Sequence, residues 1–479
     1  MISNQQTLHR PKEVTPDSQQ KYVEALIERY NKRTKTSKQM TQAYRPVLAD
    51  PRVSECFEPP TKEMCYLKEM CYLIVGKEAR GSRIWDIDGN EYIDILMGFG
   101  ANLLGHNPPF IKEALHEQLE KGIQLGPQSE FAGEVAELIC QLTGMERVVF
   151  SNTGTEAVMT AIRLARAATK RPKIAVFSGS YHGHFDGTLV KVQTPENPHG
   201  VPMTTGTLPS MVEDVLVLDY GNPQSLETIK TYRDELAAVL VEPVQARRPD
   251  LQPKEFLQQL RQLTAESGIA LIFDEMITGF RLHLGGAQAW FGVEADIATY
   301  GKIVGGGMPI GIIAGKAAYL DKIDGGMWDY GDASFPQVEK TFFAGTHCKH
   351  PLSIAAARAM LRYLKEQGPT LQEKLNQRTS QYVERLNVFF EASKMPIRMA
   401  HFGSYFGPIF TADAVPSEIL MISLNLLRYH LFEKGIWIRD GSGFLSTAHT
   451  DEDIDCIIQA MTDSVTELQE VGFFPNYAT

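Results

Sequence analysis

The sequence predicts an α/β protein with a large domain built on a mostly parallel sheet and a smaller α+β domain. Between about residues 110 and 350, short apolar runs alternate with segments of helical periodicity, which is typical of a doubly wound sheet. The apolar runs are nearly continuous, as strands buried on both faces must be. After residue 350, helical patterns at 355–393 and 451–470 enclose strand-like pieces near 397–411 and 435–439, which indicate the second domain.

The elements of the large domain follow from these patterns. The predicted strands are residues 147–150, 173–177, 215–218, 237–241 and 269–273. Helices are predicted at 155–168 and 254–266. Two stretches, 195–210 and 324–337, are predicted to be long loops, and loops of that length in a compact domain usually carry function.

The N-terminal region is predicted to contain an arm, a helix and a hairpin. Residues 1–20 are polar, and residues 21–33 place Val23, Leu26, Ile27 and Tyr30 on one helical face. Residues 82–95 form two strand-like runs around Asp-Gly-Asn, which indicates a hairpin. The hexapeptide KEMCYL occurs twice, at 62–67 and 68–73, and is interpreted as a local duplication in a loop or strand entry.

Four segments are predicted from these elements. Residues 1–75 are an arm with a helix and linker, and residues 76–110 are the N-terminal part of the small domain. Residues 111–350 form the large domain, which carries the candidate ligand site. Residues 351–479 form the C-terminal small domain.

The composition disfavours several classes of partner. The chain of 479 residues has 47 basic and 58 acidic residues, and this net charge of −11 disfavours nucleic acid and anionic membranes. A polar N-terminus and the absence of a long apolar run predict neither a secretory signal nor a membrane span. The six cysteines show no C-x-x-C spacing, which predicts reduced thiols and a cytoplasmic location.

Three polar segments follow predicted strands, at the edge where an open α/β sheet binds its ligands. Residues 151–156, Ser-Asn-Thr-Gly-Thr-Glu, precede a helix and suit an anion at its N-terminus, although they also fit an ordinary capping box. Asp274 follows strand 269–273, where a buried carboxylate requires a cation, with an N-cap or a salt bridge as the structural alternative. Lys302 lies in a glycine-rich run, where it is either a solvated turn residue or a partly buried amine that reacts with an aldehyde.

Together these three segments suit pyridoxal phosphate. The first would bind the phosphate, the aspartate would pair with the ring nitrogen, and the lysine would bind the aldehyde carbon. In chain order, the motifs SNTGTEA, SYHGH, VEPV, FDEMITGFR, GKIVGGGMPIG and FFAGTHCKHP resemble those of the class III pyridoxal-phosphate aminotransferases of fold type I, over residues 75–470. The resemblance implies that fold, that cofactor and aminotransferase activity.

The resemblance also implies roles for individual residues. Lys302 and Asp274 are the implied catalytic residues. The implied cofactor-binding residues are Thr153, Gly154, Thr155, Tyr181, His182, Glu242, Asp274, Lys302 and Thr346. Tyr181 would stack on the ring, and Thr346 would reach the phosphate of a neighbouring subunit, which implies a homodimer with shared active sites. A purely structural role is the alternative for Glu242, and the pair His182 and His184 is not expected to bind a metal.

Two departures from the family pattern bear on the substrate. Ile277 stands where many members have a glutamine that contacts the ring hydroxyl, and Gln245 or Arg247 is a candidate substitute. The motifs also resemble glutamate-1-semialdehyde aminomutase, but the loop at 439–444 lacks the glutamate of that family.

A second resemblance points to a different substrate. The N-terminal helix and stretches such as YRPVLADPR and RRPDLQPKEF resemble the aminotransferase domains of hybrid polyketide–nonribosomal peptide synthetases of the microcystin and iturin type. It implies transfer of an amino group from an amino acid, glutamate or glutamine, to the β-keto carbon of an acyl chain on an acyl carrier protein, in secondary metabolite biosynthesis. Arg247, Arg248 and Lys349 are the candidate substrate contacts, with ordinary surface charge as the alternative.

Other functions stay open beside this one. The main alternative is glutamate-1-semialdehyde 2,1-aminomutase or another class III aminotransferase on a small free substrate, and a racemase is a further possibility. A non-catalytic binding protein of the same fold is disfavoured, because Lys302, Asp274 and the phosphate-binding segment are all present.

Overall fold

A computed structural model describes residues 16–54, 67–194, 197–410, 417–439 and 441–474. Of the predicted arm at 1–20, residues 1–15 lie outside these ranges, whereas residues 16–20 begin a helix. Most of the first KEMCYL copy also lies outside these ranges. The chain divides into two compact units: residues 1–96, 381–399 and 408–479 form the first, and residues 97–380 and 400–407 form the second. The boundaries of this division at residues 96 and 380 differ from the predicted ones at 110 and 350, because residues 97–110 and 351–380 belong to the second unit.

The second unit is built on a nine-stranded sheet. The strands are β4 (Arg147–Ser151), β5 (Lys173–Phe177), β6 (Val190–Thr194), β7 (Asn197–Pro202), β8 (Val215–Leu218), β9 (Leu236–Val241), β10 (Ala270–Asp274), β11 (Ile297–Tyr300) and β12 (Gly311–Gly315). Their order in the sheet is β4-β12-β11-β10-β9-β5-β8-β7-β6. The five central strands, from β11 to β8, are parallel neighbours. The outer pairs are antiparallel. Four of the five predicted strands, β5, β8, β9 and β10, lie in this parallel centre, whereas the fifth, β4, is an outermost strand of the sheet.

The helices of this unit are amphipathic or buried and lie mainly between the strands in sequence. They are α4 (Pro109–Lys121), α5 (Ala132–Thr143), α6 (Gly154–Thr169), α7 (Pro209–Val212), α8 (Pro223–Thr231), α9 (Lys254–Ser267), α10 (Gly286–Phe291), α11 (Ala317–Asp324) and α12 (Pro351–Gln367). The segment α3 (Met97–Gly100) is a single turn with left-handed backbone angles. Helix α6 buries Ala157, Ala161 and Leu164 in one cluster with Leu240 and Ile272 of the central strands, which fixes its N-terminus at the edge of the sheet.

The first unit contains a four-stranded sheet and helices from both ends of the chain. The elements of this unit are α1 (Pro16–Arg33), α2 (Lys35–Tyr44), β1 (Gly76–Arg80), β2 (Arg83–Asp86), β3 (Glu91–Asp94), α14 (Ser417–Glu433), β15 (Ile436–Trp437), β16 (Gly443–Phe444) and α15 (Asp451–Glu470). The sheet has the order β1-β2-β3-β15, and β2 and β3 form the hairpin predicted around Asp88-Gly89-Asn90. Helix α13 (Thr370–Ala392) and strands β13 (Ile397–Phe402) and β14 (Tyr405–Phe410) are each divided between the two units.

Three local predictions need correction. The stretch 195–210 is not one long loop, because Asn197–Pro202 is a strand that pairs with β6. The helical stretch 355–393 is two helices, since α12 ends before Gly368, whose φ is +64°. Cys71 is disulfide-bonded, so the expectation of reduced thiols is wrong at this position. Pairing of cysteines depends on which cysteines lie close together in the folded structure, and their spacing in the sequence does not reveal this.

In the described ranges, no helix combines the length and apolarity needed to cross a membrane.

Candidate active site

The topology brings the polar segments to one edge of the sheet. Strands β9, β10 and β11 are parallel, so Glu242, Asp274 and Lys302 follow carboxyl ends that lie side by side. Strand β4 is antiparallel to β12, which is antiparallel to β11, so the carboxyl end of β4 reaches the same edge. The register pairs Asp274 with Thr299, three residues before Lys302.

The segment after β4 forms an anion-binding N-terminus of helix α6. Thr153 is the N-cap, and its hydroxyl accepts a hydrogen bond from the N–H of Glu156 at 3.2 Å. Its carbonyl accepts from the N–H of Ala157 at 3.1 Å. Among the described residues, the N–H groups of Gly154 and Thr155 have no protein partner, and both residues line a cavity. The Thr153 N-cap and the anion site are therefore compatible, because they use different N–H groups. The capping box is only half formed, since the Glu156 carboxylate accepts from the N–H of Asn152 at 2.7 Å.

Met276 packs tightly beside two glycines of the site. A Cβ atom on Gly154 or on Gly301 would lie 2.9 Å from the Met276 sulfur. A methyl group at either position would therefore displace Met276, which follows Asp274 by two residues. This close packing fixes the relative positions of the N-terminus of α6, the carboxyl end of β10 and the loop that carries Lys302.

Asp274 is buried and held by three hydrogen bonds. Its Oδ1 accepts from the hydroxyl of Thr299 at 3.1 Å and from the N–H of Met276 at 3.3 Å. Its Oδ2 lies 2.8 Å from Nδ1 of His182. The neighbouring carboxyl of Glu275 points elsewhere and accepts from the N–H of Ala287 at 2.6 Å.

The Tyr-His-Gly loop contributes residues of opposite exposure. Tyr181 is 60% exposed, and its N–H donates to the carboxyl of Glu242 at 2.9 Å. His182 is buried, and its Nε2 has no hydrogen-bond partner among the described residues. The pKa of Glu242 is raised to about 7, mainly by burial, with His182 opposing the rise and the charge of Asp274 contributing to it. His184 is exposed, and the described residues contain no cluster of three or more metal-ligating side chains.

Lys302 lines the same cavity as an almost buried amine. Burial lowers the pKa of Lys302, and the nearby positive charge of Arg281 lowers it further, whereas Asp274 and Glu242 oppose this. A lysine with a lowered pKa has more neutral amine near pH 7 and is a better nucleophile.

The cavity has a volume of about 500 Å³ and combines these groups with apolar walls. Its lining includes Thr153, Gly154, Thr155, Tyr181, His182, Glu242, Asp274 and Lys302. These groups fit pyridoxal phosphate, since two helix N–H groups suit an anion, a carboxylate suits a ring nitrogen, and an amine suits an aldehyde. The orphaned Nε2 of buried His182 also indicates a missing polar neighbour in this cavity.

The other predicted residues lie outside the lining of this cavity. Thr346 is exposed on a loop whose Gly345 approaches the side chain of Asn152. Arg248 forms a salt bridge with Asp250 at 2.9 Å, and Lys349 donates to the side chain of Gln128 at 2.9 Å. Arg247 is exposed.

Gln245 lies outside the lining of the cavity, so it does not take the place of the glutamine that contacts the ring hydroxyl in many family members. Its amide donates to the carbonyl of Ser178 and to the hydroxyl of Ser180 at 3.0 and 2.8 Å. The side chain therefore stabilises the segment that leads into the Tyr-His-Gly loop.

Several residues of the site were not predicted from the sequence. Thr299 could have been found, because it is a polar residue in the short, otherwise apolar run Ile297–Tyr300 just before Lys302. Ala101 and Val158 line the cavity but carry no chemical signal in the sequence. Arg281 stood in a quoted motif, but its contacts depend on tertiary structure.

Comparisons with known proteins agree with this geometry. A family model described as aminotransferase class-III matches residues 67–462. Glutamate-1-semialdehyde 2,1-aminomutase 2 of Lachnoclostridium phytofermentans is 39% identical over 391 residues, which are 79% of this chain and 88% of that protein. A solved β-phenylalanine aminotransferase from Variovorax paradoxus is 26% identical with a TM-score of 0.80, covering 96% of this chain and 100% of that one. A solved transaminase with PLP bound is 29% identical with a TM-score of 0.79, covering 91% and 98%. The predicted fold type and cofactor are confirmed.

Proposed function

This chain belongs to the class III aminotransferase family and is a pyridoxal-phosphate-dependent enzyme, and we propose that it moves an amino group on a small free substrate, with glutamate 1-semialdehyde as the first candidate. The observation that carries the proposal is the 39% identity to an aminomutase over 79% of this chain. The cavity that contains Lys302 and Asp274 supports the amino-group chemistry.

The phosphate of the cofactor would bind at the N-terminus of helix α6. The N–H groups of Gly154 and Thr155 would donate to it, and the positive end of the helix dipole would favour its charge. Tyr181, exposed at the cavity, would cover the ring. When bound, pyridoxal phosphate supplies an aldehyde that condenses with amines and a ring that accepts electrons.

Asp274 and Lys302 would carry the proton chemistry. The Asp274 carboxylate would hold a proton on the ring nitrogen, and its bonds from Thr299, Met276 and His182 keep it oriented. Lys302 would bind the aldehyde carbon and, once displaced by the substrate amine, its Nζ would accept and return the proton at the reacting carbon. The lowered pKa of Lys302 supports both tasks.

A homodimer with shared sites is proposed on the position of Thr346. This residue is exposed and does not line the cavity of its own chain. A threonine that serves a phosphate from this loop would therefore serve the cavity of a second copy.

Amination of a carrier-bound β-ketoacyl chain is the second candidate. It is favoured by the resemblance of the N-terminal helix to synthetase domains and by the absence of a glutamate in the loop at 439–444. Asp440 lies outside the described residues. On this reading Arg247, Arg248 and Lys349 would contact the phosphate of the carrier arm or the donor carboxylate. Arg247 is the most accessible of the three for this role, since Arg248 and Lys349 already have side-chain partners.

The deciding experiment compares substrates on the purified holoenzyme. Initial rates are measured by mass spectrometry on glutamate 1-semialdehyde and on a carrier-bound β-ketoacyl chain with glutamate or glutamine as donor. We expect at least tenfold higher kcat/KM on the semialdehyde, with Lys302→Ala as the inactive control. Amination of the carrier-bound chain without conversion of the semialdehyde would reverse the order of the two candidates. Absorbance changes with amino donors alone, without either product, would indicate a transaminase on another substrate.

A further inference from the structure

A strained turn directly precedes a residue of the cavity wall. Met97, Gly98, Phe99 and Gly100 have φ angles of +48°, +61°, +55° and +87°. Two of these residues carry side chains, which disfavour left-handed angles sterically. The next residue, Ala101, lines the cavity together with Lys302 and Asp274. A conformation that the local sequence disfavours must be held by contacts from elsewhere in the unit.

Arg281 supplies such a contact from the loop that follows Asp274. The side chain is 1% exposed and is among the largest fully buried side chains. Its Nη2 donates to the carbonyl of Gly100 in the strained turn. Its Nη1 donates to the hydroxyl of Ser404 at 2.8 Å, and its Nε donates to the carbonyl of Ile277 at 3.0 Å. One guanidinium therefore joins the turn to the loop that begins at Asp274.

The Arg281 side chain is closely packed against its neighbours. A Cβ atom on Gly403 would lie 3.4 Å from Cγ of Arg281 and 3.1 Å from the side chain of Leu282. The φ of Gly403 is +52°, so glycine fits there both for space and for backbone angle. Burial lowers the pKa of Arg281 to about 9, which still leaves it charged at neutral pH.

We propose that Arg281 is a positioning residue: through the carbonyl of Gly100 it holds the left-handed turn Met97–Gly100, and thereby the wall that Ala101 forms in the cofactor cavity. This proposal rests on the proposed binding of pyridoxal phosphate in the cavity. It does not depend on which of the two candidate substrates the enzyme uses. A lysine cannot replace this arginine, because an ammonium is a compact charge and does not reproduce the planar fork that reaches three acceptors.

The test compares Arg281→Lys with a matched control, Arg171→Lys. The guanidinium of Arg171 also binds backbone carbonyls, those of Leu236, Ser267 and Gly268, but near the amino ends of β9 and β10. Two quantities are measured: hydrogen exchange in a peptide covering residues 95–105, and the dissociation constant of pyridoxal phosphate from the apoenzyme. We expect Arg281→Lys to raise both by about tenfold, as loss of a charged hydrogen bond predicts, and Arg171→Lys to change neither.

A second variant tests the strain directly. Phe99 is 45% exposed, and Phe99→Gly lets the turn adopt its angles without a steric penalty. In the double variant Arg281→Lys with Phe99→Gly, the excess exchange of Arg281→Lys should fall at least threefold. If Arg281→Lys does not fold, Ser404→Ala removes one acceptor and should raise the same exchange about threefold.

Three results would contradict the proposed role of Arg281. If Arg281→Lys lowers thermal stability but leaves exchange in 95–105 and cofactor affinity equal to those of Arg171→Lys, Arg281 is an ordinary structural residue. If Phe99→Gly does not reduce the excess exchange, strain in the turn is not what Arg281 holds. If Ser404→Ala is needed and changes nothing in this peptide, the proposal is also wrong.

Discussion

Asp274 and His182 are joined by a hydrogen bond of 2.8 Å between Asp274 Oδ2 and His182 Nδ1, and both side chains are buried. An ionised carboxylate only accepts hydrogen bonds, so Nδ1 carries the proton when Asp274 is charged. In the neutral tautomer, Nε2 is then an acceptor, and it has no partner among the described residues. His182 therefore orients Asp274, and it lines the cofactor cavity with a ring nitrogen that no described residue contacts.

Substitution of His182 tests this orientation. In His182→Asn the side-chain amide can take the place of Nδ1–H, whereas in His182→Leu the donor is lost. We expect kcat to fall less than about tenfold in the first and about a hundredfold in the second, since one oriented charge-assisted hydrogen bond is removed. The absorbance titration of the bound cofactor should shift only in His182→Leu. Equal losses in both variants would contradict a role through Asp274.

Lys302 is expected to bind the cofactor covalently. In Lys302→Ala, borohydride reduction should no longer attach pyridoxal phosphate to the chain, and turnover should be abolished, while some cofactor stays bound through the phosphate site. Lys316→Ala is the control, because Lys316 pairs with Asp296 at 2.7 Å beside the opposite end of β11. Peptide mapping checks the result, and a label on another lysine in the wild type would refute it.

Gly183 is expected to be required for cofactor binding. Its φ is +79°, and a Cβ atom there would lie 2.4 Å from the Thr155 hydroxyl, at the phosphate-binding helix N-terminus. Gly144→Ala is a matched control, since its φ is +75° and nothing lies within 4 Å of the added atom. Both substitutions should lower the free energy of unfolding by about 1 kcal/mol through the backbone. Only Gly183→Ala should also weaken cofactor affinity, at least tenfold, in a titration of the apoenzyme.

Sharing of active sites between two copies has a direct test with Thr346. Heterodimers of a Lys302→Ala chain and a Thr346→Ala chain are isolated with two affinity tags. If Thr346 serves the partner's site, one site has both lesions and the other has neither, so about half of the wild-type activity returns. If Thr346 serves its own chain, each site has one lesion and no intact site forms. The two single-variant homodimers are the controls.

Glu275 is expected to make stability depend on pH. Burial raises the pKa of Glu275 to about 7, although hydrogen bonds from Ala287, Thr278 and Gln288 oppose the rise. The folded state then binds the proton more tightly than the unfolded chain. Its contribution is complete below about pH 4.5 and is lost as the pH rises through about 7, at a cost of about 3 kcal/mol.

Denaturation at several pH values checks this expectation. The unfolding free energy of Glu275→Gln should fall less between pH 5 and pH 8 than that of the wild type. Glu255→Gln, at an exposed residue of α9, should keep the wild-type slope. Identical slopes for all three proteins would show that Glu275 does not titrate in this range.

Much of the fold was predictable because its signals are local. The central strands are continuous apolar runs, and VLVL at 215–218 forms a strand with the predicted bounds. The strand 197–202 was missed because it contains two prolines and a glycine and pairs at the outer part of the sheet. Cofactor residues were predictable where a strand end and a glycine-rich run carry recognisable chemistry, as at Asp274 and Lys302.

By itself, the sequence determined the α/β alternation, the order of the cofactor motifs and the family to which the chain belongs. Only the tertiary structure decided that His182 bonds Asp274, that Gln245 braces a loop instead of facing the cavity, and that Arg281 reaches Gly100 across 181 positions in the chain. The physical reason is that periodicity and propensity act between near neighbours. A buried polar group instead finds its partner through whichever elements the packing brings within hydrogen-bonding distance.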